Sequence, residues 1–505
     1  MFSHYNKAAL RTSLLHFMFG KALNAIVSLL TIIALARWMA PDAYGVYIAF
    51  LALQSVLLAL SSLGIDATAE RYLPELRTHH ADGELLGFVM ASMSARLASL
   101  FLLALLGWLA AEPITTLVGL GQYRDVFKIW VIVVVLTGLF SFSIVLLEAM
   151  LHQRLAQLCM GVYVVAKLVL LGLVHEYFQL HLNSLVQIEL FATGIAALIG
   201  TCLLVRLFPA GGLRNGWRLI LENRQRIERF AFFNYLAQIV FQLFNAELMK
   251  LVVTRLLGVL ESARYGFAYS LVDTVQRYLP AVLLLRLIKP VFVSRYTKTG
   301  DFSQLNEMAR IILKLNLLML TPIIAFAAVF GGDLLSILSK GKYADAHWVL
   351  VGVLVLLVPA SHQLVLSLLA GTIEKNSLQL YAGIASSIGL PCALFLVPAF
   401  GVLGAVAASA ISALIYNVFA TVYLRRSGFD YRPDLRGAGV FVVGGIILYG
   451  LTLGMNSIVT GWVGVAAALI FGSVVYLSVV RVMSVFSHDE RQLLNSVLPK
   501  PVFIF

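Results

Sequence analysis

About fourteen stretches of roughly twenty predominantly apolar residues follow one another along this 505-residue chain, each long enough to cross a bilayer as a helix. They fall at 11–37, 43–66, 87–111, 125–150, 156–175, 184–207, 229–255, 262–290, 309–330, 345–371, 379–398, 402–424, 437–457 and 460–482. The runs are continuous rather than alternating, which excludes a β-barrel. A composition 60% hydrophobic and 12% charged carries more apolar surface than a soluble fold of this size can cover. The expected fold is all-α and integral to the membrane, with about 14 transmembrane helices and no room for a large soluble domain. The first run does not read as a cleaved signal, because it is long, Lys21 interrupts it and further spans follow. Cys159, Cys202 and Cys392 lie inside spans and read as small apolar residues, not as a disulfide or metal set.

The net charge of +12 is distributed unevenly among the loops. Lys7, Arg11, Arg71, Arg77, Arg214, Arg218, Arg224, Arg226, Arg229, Arg295, Lys298, Arg425, Arg426, Arg432 and Arg436 share one set of alternate loops. The intervening loops hold few cations, among them Arg124, Lys128, Lys340 and Lys342. That asymmetry predicts cytoplasmic N- and C-termini in a plasma membrane. It also makes the phospholipid bilayer, rather than nucleic acid, the partner of the basic residues.

Short matches recur about 221 residues apart: Asn24-Ala25 with Asn245-Ala246, and Tyr44-Gly45 with Tyr265-Gly266. Arg71-Tyr72 recurs at Arg295-Tyr296 and Gln157-Leu158 at Gln379-Leu380, close to the same offset. An offset of six spans keeps both halves in one orientation, so they are expected to be parallel repeats with a cavity at their interface. The expected organisation is an N-terminal lobe at 1–207, a cytoplasmic connector at 208–228, a C-terminal lobe at 229–424, and two further spans with a tail at 425–505. The connector contains an amphipathic stretch suited to the membrane surface.

The polar residues inside the spans are the candidate site. Ser13, Lys21, Asn24, Ser28 and Thr31 share one arc of the first span. Asn234, Gln238, Gln242 and Asn245 share a face of the seventh, and Ser262, Tyr265, Tyr269, Asp273, Gln276 and Arg277 one of the eighth. A thinner stripe of Tyr47, Gln54 and Ser61 marks the second span. Lys21 is about 15 Å from the start of its run, too deep for complete snorkelling. Arg96 and Lys167 lie similarly deep, and Glu148 is placed to neutralise one of them. Asp273 and Arg277, four residues apart, either pair locally or serve the cavity, whereas Glu247 and Lys250 read as a local salt bridge or an interhelical contact. Lys314 is expected to snorkel, and Ser361-His362-Gln363 to make interhelical hydrogen bonds. No nucleophile, phosphate-loop or metal-ligand motif stands out, so neither an enzyme nor a cofactor is expected.

The segment 34–75 resembles the start of bacterial polysaccharide exporters of the multidrug/oligosaccharidyl-lipid/polysaccharide (MOP) superfamily. The resemblance rests on Leu35-Ala36-Arg37, Pro41, Tyr44-Gly45, Leu63-Gly64 and Arg71-Tyr72-Leu73-Pro74. It implies two lobes in a V, alternating access, and flipping of an undecaprenyl-pyrophosphate-linked oligosaccharide across the bacterial inner membrane. It further implies a cationic cavity, for which Lys21, Arg96, Lys167 and Arg277 are the candidate cations. A coupling ion, H+ or Na+, and other polysaccharide-assembly proteins are the implied partners. A cation-coupled drug or metabolite antiporter of the same superfamily is the nearest alternative, and a membrane glycan polymerase or ligase a more distant one.

Overall fold

A computed structural model describes residues 7–79, 82–150, 152–207, 224–242, 245–282, 296, 300–458 and 461–497. Among them the regular structure is helical, without strands. The first helices are α1 (Lys7–Trp38), α2 (Pro41–Ser61), α3 (Ile65–His79), α4 (Asp82–Leu109), α5 (Ala111–Val118), α6 (Arg124–Ala149), α7 (Gln153–Tyr177) and α8 (Leu182–Leu207). Next come α9 (Arg224–Gln242), α10 (Ala246–Leu257), α11 (Val259–Gln276), α12 (Phe302–Ser339), α13 (His347–Thr372) and α14 (Asn376–Ser386). The last are α15 (Gly389–Phe400), α16 (Val402–Arg426), α17 (Leu435–Ile458), α18 (Gly461–Val482) and α19 (His488–Val497). Twelve of the described helices are long and apolar enough to cross a membrane, or thirteen if α9 and α10, which meet at 42°, form one span. The protein is a multi-pass helical membrane protein. The expected eighth span at 262–290 runs past the described residues after 282, and most of the expected connector, 208–223, lies outside them.

The chain divides into two compact units, Met1–Ala263 and Arg264–Phe505. In the first, α6 packs on α4, α7 and α8, and α1 packs on α7; α9 and α10 belong to this unit through α2, α3 and α5. In the second, α13 packs on α12, α14 and α16, and α15 on α16. The order α4·α6, α6·α8, α7·α8 thus recurs as α12·α13, α13·α16, α15·α16. Phe140, Leu146, Leu147 and Cys159 help form the first core, and Leu305, Leu366, Leu369 and Tyr416 the second.

Two glycines allow helices to touch backbone to backbone. A Cβ on Gly45 in α2 would lie 1.8 Å from the Val259 carbonyl oxygen at the start of α11. Gly64, at φ 74° in the turn from α2 to α3, would place a Cβ 2.2 Å from the Ala231 oxygen of α9. Only glycine meets both the left-handed backbone and the close approach at position 64.

The α17–α18 pair is fastened to α12. Pro322 within α12 removes the N–H that would bond the Leu318 carbonyl, and the buried Tyr476 hydroxyl of α18 donates to that oxygen at 3.2 Å. Lys314 does not snorkel as expected. Its side chain is only 6% exposed, and its ammonium contacts Asp434 Oδ2 at 2.8 Å, Glu490 Oε2 at 2.8 Å and the Val485 carbonyl at 2.8 Å. The physical reason is that chain returning after α18 brings a carboxylate to the lysine, so the charge need not reach water. Glu490 also accepts from the Ser487 N–H at 2.8 Å while the Ser487 hydroxyl accepts from the Glu490 N–H, a capping box that opens α19. Burial pushes the Asp434 carboxyl up, but the Gly437 N–H and Lys314 outweigh it and hold the group below its ordinary value. Its stabilising contribution is therefore present at neutral pH and is lost as pH falls through the depressed value. Glu490→Gln is expected to cost about 1.5–3 kcal/mol, the range for a charge-assisted hydrogen bond, read as a lower thermal midpoint of the purified protein. An unchanged midpoint would show that Asp434 alone satisfies Lys314.

Candidate transport site

The polar arc of α1 is partly committed to α7. Asn24 Nδ2 donates to the Gln157 carbonyl at 3.3 Å and to Gln157 Oε1 at 3.4 Å. Lys21 and Ser28 are both half-buried.

The polar faces of α2 and α9 meet along a seam. The Ser62 hydroxyl donates to Gln238 Oε1 at 2.6 Å, Tyr235 OH to the Leu60 carbonyl at 3.0 Å, and Gln242 Nε2 to Ser55 Oγ at 3.5 Å. Asn234 turns back on its own helix, donating to Phe230 O, and Asn245 stands at the start of α10 without a side-chain capping bond. Gln54 Oε1 is shielded from solvent and has no hydrogen-bond partner among the described residues. Beyond the seam, Arg226 grips both oxygens of Glu75 at 3.1 and 3.3 Å and, mainly by hydrogen bonding, holds that carboxyl below its ordinary value. No residue of α9 is fully buried, and its attachment to α2 and α3 combines these polar contacts with Phe230 against the Tyr72 ring.

Lys167 lies inside the first unit, within a closed cluster from three helices. Its ammonium is 2.5 Å from Glu189 Oε1 of α8 and donates to Tyr47 OH of α2 at 2.7 Å. Tyr47 OH donates to Glu189 Oε1 at 2.6 Å, and Tyr163 OH to Oε2 at 3.1 Å. The lysine also lies 5.4 and 5.8 Å from the centres of the Tyr47 and Tyr163 rings. Lys167 is 9% exposed and Glu189 1%, so both charges depend on each other and on the tyrosines.

Arg96 of α4 is 2% exposed and serves the elbow between α2 and α3. Its guanidinium donates to the Ser61 carbonyl at 2.7 Å, at the end of α2 where cations are favoured. Asp66 is 3.6 Å from its Nε, too far for a good hydrogen bond, and both atoms lack hydrogen-bond partners among the described residues. Burial raises the Asp66 carboxyl above its ordinary value despite the nearby guanidinium.

In the second unit, Asp273 of α11 and Arg277, just past the end of that helix, form the four-apart pair at 2.5 Å, with Arg277 65% exposed. Tyr269 is half-buried against the Tyr265 ring, and Gln276 is half-buried near the end of the helix. Lys250 and Glu247 make the expected local bridge at 2.7 Å. Asn316 Nδ2 donates to Ser361 Oγ at 2.5 Å, the interhelical bonding expected there, whereas His362 pairs at 2.7 Å with the hydroxyl of Tyr431 in the linker between α16 and α17.

Glu148 partners neither deep cation; Glu189 and Asp66 do. A depth count contains the first pairing. Lys167 is ten residues before the end of α7 and Glu189 seven after the start of α8, a difference in height of about 5 Å on antiparallel neighbours.

These helices, their two units and the repeated packing order define an integral membrane protein of the MOP-exporter fold. The chain belongs to the polysaccharide biosynthesis protein family, whose profile matches residues 11–294, more than half of its length. Among solved structures, it is similar to the lipid II flippase MurJ in an inward closed conformation, with a TM-score of 0.73 and 12% identity. That match covers 95% of this chain and 99% of the flippase. It is also similar to an inward-facing multidrug resistance MATE family transporter of the MOP superfamily, at TM-score 0.64 and 14% identity, over 81% of this chain and 96% of the other. A Vibrio cholerae MATE transporter matches at TM-score 0.56 and 17% identity, over 83% and 99%. None of the curated proteins matches in sequence. These structural neighbours are a flippase and multidrug transporters.

Proposed function

We propose that the protein flips an undecaprenyl-pyrophosphate-linked oligosaccharide, or a related polysaccharide precursor, from the cytoplasmic to the outer leaflet of the bacterial inner membrane by alternating access. Membership of the polysaccharide biosynthesis family carries this reading. The extent of the structural likeness supports it. The lipid II flippase is matched along 95% of this chain, whereas the multidrug transporter is matched along 81%. The alternation of basic loops supports cytoplasmic termini.

A pyrophosphate cannot cross hydrocarbon without compensating charge, and cations along a hydrated path supply it while the lipid tail stays in the bilayer. Of the four candidate cations, Lys21 and Arg277 are the two whose side chains are not buried. In this reading they meet the phosphate groups, while Arg96 and Lys167 hold the first unit together. Asn24, Ser28, Gln54, Asn234, Gln238, Gln242, Asn245, Tyr269, Asp273 and Gln276 offer polar groups to the glycan as the path opens. The α2–α9 seam, built of separate polar bonds, can part at modest cost because water or hydroxyl groups of a sugar replace each bond. Driving by an ion gradient, H+ or Na+, is part of the proposal.

Lys21→Ala and Arg277→Ala are each expected to slow flipping about tenfold or more at wild-type abundance, the effect of losing one charge-assisted contact. The measurement is transfer of lipid-linked oligosaccharide between leaflets of proteoliposomes. Wild-type rates in both variants would remove the cationic-path mechanism.

A further inference from the structure

We propose that a pocket at the junction of α12, α17 and the chain after α18 binds the headgroup of an ammonium-bearing zwitterionic phospholipid of the phosphatidylethanolamine type. The cavity measures about 470 Å³, within the range of small-ligand sites. Its charged walls are Glu307, Arg310 and Lys314 of α12, Asp434 and Arg436 at the start of α17, and Glu490 beyond α18. All lie in the second unit, so the site is independent of how the two units are disposed and of the transport reading.

Position and charge select the ligand. The candidate span in α17 begins at Leu435 and that in α18 ends at Val482. The pocket takes Asp434 and Gly437 from one boundary and Met483, Ser484 and Ser487 from the other. A cavity where two spans end sits at the level of phospholipid headgroups. Its walls hold three cations and three carboxylates. A purely anionic headgroup would meet those carboxylates without compensation. A quaternary ammonium would find neither an aromatic ring in the lining nor any N–H of its own to offer them. A headgroup that carries a phosphate and a primary ammonium complements both sets.

The groups free to bind are at the mouth. Lys314, on the floor, already donates to Asp434, Glu490 and the Val485 carbonyl. Arg310 reaches Asp434 only at 3.5 Å, and its Nε is shielded from solvent with no hydrogen-bond partner among the described residues. Arg436 and Glu307 are exposed, and neither makes an ion pair among the described residues. Two guanidinium groups can take the phosphate, for which their planar forks are suited, while Glu307 takes the ammonium.

Soluble O-phosphoethanolamine presents the same chemistry without tails, so the test separates the two sources. The full-length protein, purified in mild detergent, is mixed with equal amounts of phosphatidylethanolamine, phosphatidylcholine and phosphatidylglycerol, and retained lipid is read by native mass spectrometry. Phosphatidylethanolamine is expected to be retained over the other two. That preference is expected to fall about tenfold in Glu307→Gln/Arg436→Gln, or in Arg436→Gln alone should the double variant fail to fold. O-phosphoethanolamine at equal concentration is expected not to displace the lipid. Equal retention of all three lipids, preference for phosphatidylglycerol, unchanged retention in the variants, or displacement by O-phosphoethanolamine would each overturn the proposal.

Discussion

Lys167→Met is expected to lower the unfolding free energy by about 3–5 kcal/mol, the cost of leaving one member of a buried ion pair without the other. The ammonium lies 2.5 Å from Glu189 Oε1, and two tyrosine hydroxyls donate to the same carboxylate. Removing the lysine leaves an acceptor-only group, 1% exposed, whose negative charge has no cation beside it. Lys167→Met/Glu189→Gln removes both charges and leaves an amide whose oxygen accepts from one tyrosine hydroxyl and whose NH2 donates to the other, so it should recover most of the loss. The check is thermal unfolding of the purified protein in detergent, together with its abundance in membranes. A Lys167→Met protein of wild-type stability that had lost transport alone would return this lysine to the substrate path.

Gly45→Val is expected to destabilise the first unit by about 3 kcal/mol, toward the upper end for overpacking. The new Cβ would fall 1.8 Å from a backbone oxygen, not from the yielding end of a side chain, so the start of α11 must move. Such a shift also disturbs the buried contacts of Ser262, whose hydroxyl meets Gly45 O at 3.4 Å and accepts from Thr254 at 2.9 Å. Gly172→Ala in α7 is the control: nothing lies within 4 Å of its added Cβ. There the substitution should be neutral, or stabilising by about 0.5–1 kcal/mol through helix propensity. Parallel thermal unfolding of the two variants separates a steric cause from a general intolerance of glycine replacement.

What was legible in the sequence follows from the range of the interactions concerned. The length of the apolar runs sets helices and membrane together, because a backbone in hydrocarbon must satisfy its own hydrogen bonds. Pairs such as Asp273–Arg277 and Glu247–Lys250 follow from helical spacing and formed as spaced. Partners across helices were not legible in this way. Glu189, Asp66 and Glu490 each answer a deep or boundary cation, and their meeting depends on how neighbouring helices slide and rotate. The arc of Asn234, Gln238 and Gln242 illustrates the same limit. A polar face on a spanning helix is equally explained by water or by another helix, and Ser62 and Ser55 of the α2 side meet two of these residues.

The most direct measurement of the central proposal is the leaflet distribution of lipid-linked glycans in a strain lacking this protein. Glycan structure is read by mass spectrometry, and sidedness by accessibility to an impermeant probe in oriented vesicles. The account predicts that a lipid-linked oligosaccharide accumulates on the cytoplasmic leaflet and that the wild-type protein restores its outward transfer. Absence of such accumulation, with glycan export intact, would contradict it and favour the drug or metabolite antiporter.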